Sequence, residues 1–119
     1  MLEELPQSVT ITVDDLRRCI DMTLFAAITN ESRRNLMGVC LSSIGNQKTC
    51  WLSTDGHRLA QTVKSVNSLN FDTEKEVIVP RKALTEVRRV ANLFGNNVNI
   101  TFDDRVMQFS GEALIFKTR

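Results

Sequence analysis

The order of predicted structural elements repeats once within the chain. Residues 8–66 and residues 76–118 each predict a strand, an amphipathic helix and then three antiparallel strands. The two segments share too few identical residues to show this by letters, so the repeat lies in the order of the elements. Two amphipathic helices can lie side by side against sheet, each covering the apolar face of its own half. The sequence therefore predicts an α+β fold built from a duplicated half, with the polar faces of both helices pointing the same way.

Local signals place the elements of the first half. Residues 8–12 alternate apolar and polar side chains as a half-buried strand does, and Thr12 with Asp15 approximates a capping box for a helix that runs to about Asn30. A strand from Leu36 to about residue 43 follows. A second strand then covers residues 48–54, after a turn at Gly45 and Asn46. Asp55-Gly56 is typical of a type I′ hairpin turn and predicts a third strand over residues 57–66.

The second half follows a polar stretch. Residues 67–75 predict a connecting loop, and residues 76–79 a short strand. Pro80 or Arg81 begins a helix that Gly95 ends. Three short strands are predicted near residues 97–102, 105–110 and 113–118.

Length and composition limit the architecture and the location. A chain of 119 residues, 42% of them hydrophobic, is enough for one domain with a core, so we expect a single domain over residues 1–119. It contains no apolar run of about 18 residues and no leader-like start, which favours the cytoplasm and no membrane partner. The net charge of +1 indicates no nucleic-acid partner by itself, so the position of the charges decides.

The cysteines and the histidine predict no metal or other cofactor. Cys19, Cys40 and Cys50 form no C-x-x-C pair, and His57 is the single histidine of the chain. An odd number of cysteines in apolar stretches indicates reduced thiols of a cytosolic protein.

His57 allows two interpretations. As a general base oriented by Asp55, it would make the chain a small hydrolase. A catalytic dyad also needs a nucleophile or substrate group within reach, which adjacency in a tight turn does not supply. The other interpretation is a turn that Asp55 caps and in which His57 is merely exposed. We therefore predict no catalytic residues.

The basic residues also allow two interpretations. They lie on or beside the helices, whereas acidic residues concentrate in the amino-terminal segment, the loop and the turns. One interpretation is a solvated helix face with local pairs such as Arg17 with Asp21 and Lys82 with Glu86. The other is a basic strip that contacts phosphates without base readout. The residues of this strip are Arg17, Arg18, Arg33, Arg34, Arg81, Lys82, Arg88 and Arg89.

Four strings of residues, in this order, carry a family resemblance. Phe25-Ala26 is followed by R-R-N-L-M-G at residues 33–38 and by V-C-L at residues 39–41, and then S-T-D-G-H-R-L-A occupies residues 53–60. V-I-V-P-R-K-A-L occupies residues 77–84. In these strings the chain resembles the central domain of the bacterial DNA polymerase sliding clamp, the beta subunit of DNA polymerase III. The resemblance covers nearly the whole chain.

The resemblance implies the DNA-clamp fold and a non-enzymatic role. Members form a ring of two chains with three similar domains each, in which sheets lie outside and helices line a hole for double-stranded DNA. It also implies a cleft at the border with the third domain that docks short peptides of DNA polymerase, clamp-loader and repair proteins. By position, the cleft residues here are Leu36, Thr54, Gly56, His57, Arg58 and Leu59.

The sequence departs from the family pattern in three ways. The first and third clamp domains are absent, and the chain stops at Arg119, before the G-x-F-P segment that contributes to the cleft wall in the family. Met37 stands where asparagine is common, and Arg34 and Asn35 stand where aromatic residues occur. We therefore expect an excised domain whose own binding is weak. A stand-alone peptide-binding adaptor with no DNA role and the small hydrolase remain as alternative functions.

Overall fold

Two short helices and nine strands make up the chain in the computed structural model, which describes residues 7–27 and 38–118. In chain order the elements are β1 (Gln7–Thr12), α1 (Val13–Thr23), a 3₁₀ turn (Leu24–Ala26), β2 (Gly38–Gly45), β3 (Lys48–Thr54), β4 (Leu59–Ser65), β5 (Ser68–Asn70), β6 (Glu76–Pro80), α2 (Arg81–Arg89), a second 3₁₀ turn (Ala91–Phe94), β7 (Asn97–Phe102), β8 (Met107–Ser110) and β9 (Ile115–Thr118). The predicted order of strand, helix and three strands is confirmed in both halves.

The strands form two antiparallel sheets that exchange their first strands. The first sheet has the order β5-β1-β7-β8-β9 and the second has the order β4-β3-β2-β6. β1 of the first half pairs with β7, with Thr12 opposite Asn97, and β6 of the second half pairs with β2, with Pro80 opposite Gly38. Each half thus donates its leading strand to the sheet of the other half, so neither sheet is complete without both halves.

Both helices begin at the predicted residues. The Thr12 hydroxyl accepts a hydrogen bond from the Asp15 N–H at 3.1 Å, as an N-cap does. Pro80 precedes α2 with a φ of −58°, and it has no N–H to leave unpaired at a helix start. α1 ends at Thr23 rather than near Asn30, because a 3₁₀ turn follows and Ala27 is already extended. Gly95, with a φ of 92°, ends the second 3₁₀ turn as expected.

The turn chemistry corrects one prediction. Asn46 and Gln47 both have positive φ, 54° and 56°, so the left-handed pair of residues lies in the β2–β3 turn. At the predicted type I′ turn, Gly56 has positive φ and Asp55 does not. Thr54 pairs directly with Leu59, which leaves a four-residue loop between β3 and β4. The type I′ assignment at Asp55-Gly56 was therefore wrong, and β4 begins at Leu59 rather than His57.

Two further boundaries differ from the prediction. Part of the predicted loop is β5, in which Leu69 lies opposite Val9 and packs against the core. β8 begins at Met107 because Asp103 Oδ1 accepts the N–H groups of Arg105 and Val106, at 2.7 and 2.9 Å, and holds them in a turn.

A single core lies between the sheets and the helices. Trp51, Phe94 and Phe109 are its largest fully buried side chains, and the Trp51 indole donates to the Thr49 hydroxyl at 3.0 Å. Trp51 is thus a packing residue with its one donor satisfied.

The cysteines are unpaired, and two of them have a raised pKa. Burial raises the pKa of the Cys19 thiol to about 12 and that of Cys40 to about 11. All three cysteines are free thiols. In the described ranges, no three His, Cys, Asp or Glu side chains cluster as metal ligands.

The helices lie next to each other over the second sheet. α1 contacts β3 and β4, where Lys64 Nζ lies 3.4 Å from Asp15 Oδ1 and the Ser53 hydroxyl donates to the Thr23 carbonyl. α2 contacts β6 and also β2, so it reaches beyond its own half, contrary to the expectation that each helix covers only its own. In the part of the chain that the structure describes, neither helix is long and apolar enough to cross a membrane.

Candidate peptide-binding and DNA-facing surfaces

Asp55 organises the loop at residues 54–59, hereafter the 54–59 turn. Its Oδ1 accepts hydrogen bonds from the backbone N–H groups of His57 and Arg58, at 2.9 and 3.1 Å, and its Oδ2 lies 3.2 Å from Arg58 Nε. The N–H of His57, followed by that of Arg58 and the Arg58 charge, lowers the pKa of this carboxyl below its ordinary value. The carboxylate is therefore ionised at neutral pH and fixes the turn from within.

Thr54 fixes the other side of the same turn. Its hydroxyl accepts the Gly56 N–H at 3.1 Å and donates to the Arg58 carbonyl at 2.7 Å. Since the polar backbone of the turn is satisfied internally, the side chains of His57, Arg58 and Leu59 are left on the exposed side. Five of the six predicted cleft residues thus share one turn. The sixth, Leu36, lies outside the described residues.

Arg58 ties the turn to the end of α1. Its Nη2 donates to the Phe25 carbonyl at 2.8 Å, and its guanidinium carbon lies 5.5 Å from the centre of the Phe25 ring. Phe25 is 58% exposed and Leu59 is 63% exposed. Two large apolar side chains are therefore exposed here, that of Phe25 against the Arg58 guanidinium and that of Leu59 in the next residue along the chain.

Phe25 was not among the predicted site residues, although it belongs to a string that carries the resemblance. A depression of about 330 Å³ lies beside it, between α1 and α2, with Ile20 and Leu24 also in its wall. The exposure of Phe25 depends on where α1 stops, which the sequence placed too late.

The geometry at His57 does not match the catalytic alternative. Both oxygens of Asp55 are engaged by backbone N–H groups and by Arg58, and not by the imidazole ring. Among the described residues, the His57 ring takes part in no hydrogen bond. A base oriented by a neighbouring carboxylate requires that contact. The other interpretation, a turn capped by Asp55 with an exposed His57, is the one observed.

Carboxylates neutralise three of the predicted DNA-facing arginines. Arg17 pairs with Asp14 at 3.0 Å and Arg89 pairs with Glu86 at 2.6 Å, each three residues apart on its own helix. Arg88 forms a two-bond pair with Asp21 of the other helix, at 2.9 and 3.1 Å. The predicted pairs of Arg17 with Asp21 and of Lys82 with Glu86 are not formed, because each acid is engaged by another arginine.

The Asp21–Arg88 pair shows that the polar faces of the helices adjoin. The Arg88 hydrogen bond, and then its charge, lower the pKa of Asp21. The predicted common direction of the two polar faces is therefore confirmed at this point.

The remaining basic side chains differ in their surroundings. In the described part of the chain, Arg18 and Lys82 are exposed and form no ion pair. Arg81 is half-buried, and its buried Nε has no partner there. Arg33 and Arg34 lie outside the described residues. The uncompensated positive charge on the described helices thus rests on Arg18, Arg81 and Lys82.

Comparison with known proteins points in one direction. The family model of the DNA polymerase III beta subunit, central domain, matches residues 10–119. The beta sliding clamp of Caulobacter vibrioides is 32% identical over 108 residues, which cover 88% of this chain and 29% of that protein. The beta sliding clamp of Streptococcus pneumoniae is 31% identical over 122 residues, which cover 99% of this chain and 31% of that protein.

Solved structures agree in fold and extent. A crystal structure of the C. crescentus beta sliding clamp superposes on the whole chain with a TM-score of 0.85 at 29% identity, and the match covers 32% of that chain. This chain therefore spans less than a third of the length of these relatives. Because the match extends over almost every residue and the two-helix, two-sheet architecture is shared, the chain belongs to the family of the central domain of the DNA polymerase III beta subunit, the bacterial sliding clamp.

Proposed function

We propose that this domain is the central segment of a sliding clamp, a processivity factor that encircles duplex DNA and performs no chemistry itself. The observation that carries the proposal is the family match over residues 10–119, together with superposition of the whole chain on a clamp structure. The ring would be completed by first and third domains and a second chain, in the cytoplasm.

Contact with DNA is assigned to the adjoining polar faces of α1 and α2. Arg18, Arg81 and Lys82 supply the uncompensated charge there, and Arg17, Arg88 and Arg89 lie beside them in ion pairs. Exposed ammonium and guanidinium groups contact phosphates without reading bases, which suits a protein that slides. The affinity of one such domain is weak and falls steeply with salt.

Peptide docking is assigned to the 54–59 turn and to Phe25. Leu59 and Phe25 offer exposed apolar area, and Phe25 lies against Arg58. Thr54, His57 and Arg58 would frame the rim. A largely apolar cleft with a few fixed polar groups is the usual form of a peptide site. DNA polymerase, clamp-loader and repair proteins would dock there through short segments.

The DNA role is tested in a chimeric clamp in which this chain replaces the central domain of the C. vibrioides protein. Arg18→Glu with Lys82→Glu should shorten the retention of the clamp on nicked circular DNA after loading. Lys48→Glu with Lys75→Glu, two exposed reversals at the start of β3 and just before β6, is the matched control and should leave retention unchanged. Equal retention for both variants would favour the adaptor without a DNA role.

The peptide role is tested by nuclear magnetic resonance on the 119-residue chain. Titration with a synthetic clamp-binding peptide from the polymerase should shift the signals of Phe25, His57 and Leu59. Leu59→Ala should weaken binding, whereas Val63→Ala, which removes another exposed apolar side chain of β4, should not. Shifts that remain the same in Leu59→Ala would place the peptide elsewhere. A search for hydrolysis with His57→Ala as the comparison should find no turnover to lose.

A further inference from the structure

The two exchanged strands differ in what lies on their outer side. β1 and β6 are equivalent, because each ends at the residue that precedes a helix, Thr12 in one and Pro80 in the other. β1 is flanked by β7 and by β5, whereas β6 is flanked by β2 alone within the described residues. In residues 7–27 and 38–118, the three-residue strand β5 thus covers the outer edge of β1, and no strand covers the equivalent edge of β6.

The equivalence of β1 and β6 also shows which N–H and C=O groups of β6 point to its outer edge. The Thr10 carbonyl accepts the Asn67 N–H at 2.8 Å, so the backbone groups of Thr10 face the β5 side. Ile78 stands two residues before Pro80, as Thr10 stands two residues before Thr12. Since backbone direction alternates along a strand, the N–H and C=O groups of Ile78 and Glu76 point to the open side. An exposed strand edge of this kind is a template for pairing.

A depression of about 560 Å³ lies along this edge. Val77, Ile78 and Phe102 form apolar parts of its wall, and Ile78 is 40% exposed. The charged lining consists of four carboxylates and one ammonium group, those of Glu74, Glu76, Asp103, Asp104 and Lys75.

Hydrogen bonds stabilise the ionised form of one carboxylate of this depression, that of Asp103. Backbone N–H groups of Arg105 and Val106 lower the pKa of Asp103. Arg105 also acts on Asp103 by its charge, but it does not line the depression. Negative charge therefore predominates around the edge of β6.

We propose that the open edge of β6 binds an extended basic peptide, which pairs antiparallel with residues 76–78 as β5 pairs with residues 8–10. Leu69 of β5 lies opposite Val9 and packs on the core, so the peptide would place an apolar side chain opposite Val77. Its neighbours, on the other face, would be basic and meet Glu76 and the surrounding carboxylates.

The negative charge around the edge of β6 disfavours a second copy of this chain as the binding partner. Edge-to-edge pairing of two β6 strands would bring the carboxylates of both copies together, which is unfavourable. This edge also lies on the opposite side of the second sheet from β4 and the 54–59 turn. Its occupation is therefore independent of the proposed peptide cleft.

The test uses the 119-residue chain and a short acetylated, amidated peptide of alternating lysine and leucine. The peptide should slow hydrogen exchange of the Ile78 amide by about tenfold or more, because that N–H becomes paired. N-methylation of the lysine amides, which face β6 in this pairing, should abolish the effect. N-methylation of the leucine amides, which face away, should leave it.

A second comparison uses variants of the edge itself. Ile78→Pro removes the N–H that faces the peptide and should lose binding, while Ile78→Val keeps the N–H and should retain it. If the lysine-methylated peptide binds as well as the parent, or if the exchange of Ile78 is unchanged while other acidic surfaces shift, charge alone holds the peptide and the strand-docking site is refuted. The clamp role would stand in either case.

Discussion

The two halves hold equivalent turns in different ways. In the second half, the turn between β8 and β9 is fixed by backbone: the Glu112 N–H donates to the Phe94 carbonyl at 2.9 Å, and Gly111 lies against Phe94. In the first half, the 54–59 turn reaches the end of α1 through a side chain, the Arg58 guanidinium on the Phe25 carbonyl. Phe94 is fully buried, whereas Phe25 is 58% exposed.

This difference shows how two structurally equivalent halves can form one surface site instead of two. A backbone hydrogen bond holds the β8–β9 turn directly against the 3₁₀ turn that follows α2. The aromatic side chain at that position, Phe94, is therefore buried in the core. In the first half, the long Arg58 side chain holds the 54–59 turn at a distance from the end of α1, so apolar surface beside the turn remains exposed. The candidate peptide site is therefore in the half whose turn is held by Arg58.

The outer faces of the two sheets differ in the same direction. On the first sheet most side chains that alternate with the core are polar, among them Thr10, Asn99 and Thr101, and Ile115 of β9 is an exposed apolar exception. On the second sheet they include Cys40, Leu52 and Val63. The outer face of the first sheet is thus mainly polar, whereas that of the second sheet presents apolar area around the candidate sites.

The largest effect is expected where the second turn closes on Phe94. In Gly111→Ala the new Cβ would lie 2.2 Å from the Phe94 carbonyl oxygen and 2.6 Å from its Cα, so backbone must move. We expect the free energy of unfolding to fall by about 3 kcal/mol, measured by urea denaturation.

The matched change in the 54–59 turn should lower the free energy of unfolding by less. Gly56→Ala meets nothing within 4 Å, but its φ of 92° strains an alanine by about 1–2 kcal/mol. A larger loss for Gly56→Ala than for Gly111→Ala would contradict the contrast between a closed and an open turn.

Arg58 should matter next. Arg58→Ala removes the contacts with Phe25 and Asp55 and should lower the free energy of unfolding by about 1 kcal/mol, with faster amide exchange in the 54–59 turn. Arg58→Lys should behave almost like alanine, because an ammonium group cannot reach both partners as a planar guanidinium does. Full protection in the lysine variant would mean that charge alone holds the turn.

The link between the helices is expected to contribute less. Asp21 and Arg88 are both substantially exposed, so a double-mutant cycle of Asp21→Asn and Arg88→Gln should give a coupling energy of about 0.2–1 kcal/mol. Arg18→Gln with the same Asp21 change should show none, since these two residues share no ion pair. A coupling of zero for the first cycle would remove the pair as a reason for the common direction of the helices.

The smallest effect is expected in the acid sensitivity of folding, to which two capping carboxylates contribute in the same direction. Asp55 and Asp103 both have a pKa below the ordinary 3.8 because backbone N–H groups bind their ionised forms. Each therefore contributes stability above pH 3.8 that is lost as the pH falls through its lowered pKa, where the unfolded chain binds more protons.

Replacing either residue by asparagine should remove part of that loss. Free energies of unfolding measured at successive pH values below 4 should fall less steeply in Asp55→Asn and in Asp103→Asn than in the parent. A steeper fall in either variant would reverse the assigned sign.

Local signals were enough to predict most elements. Residues 48–54 and 97–102 were placed as β3 and β7 with the observed bounds, and Thr12 and Gly95 mark boundaries as expected. Caps and alternation act within a few residues, so a sequence can be read for them. β5 was missed because three residues paired at an edge leave little pattern of their own.

The candidate sites were only partly predictable. The resemblance located the 54–59 turn, and that turn proved to be one compact structure held by Thr54 and Asp55. Phe25 was missed as a surface residue because its exposure depends on the last turn of α1. The ion pairs were assigned along each helix, whereas Asp21 binds Arg88 of the other helix.

The sequence by itself determined the repeated order of elements, the helix starts and the family. Only the tertiary structure decided that β1 and β6 change places between the sheets, and that one turn is closed by backbone and the other held by Arg58. It also decided that no strand of the described ranges covers the outer edge of β6. The physical reason is that strand edges present the same N–H and C=O groups whatever their side chains are. The choice of partner therefore depends on the packing of the whole core, which no local pattern records.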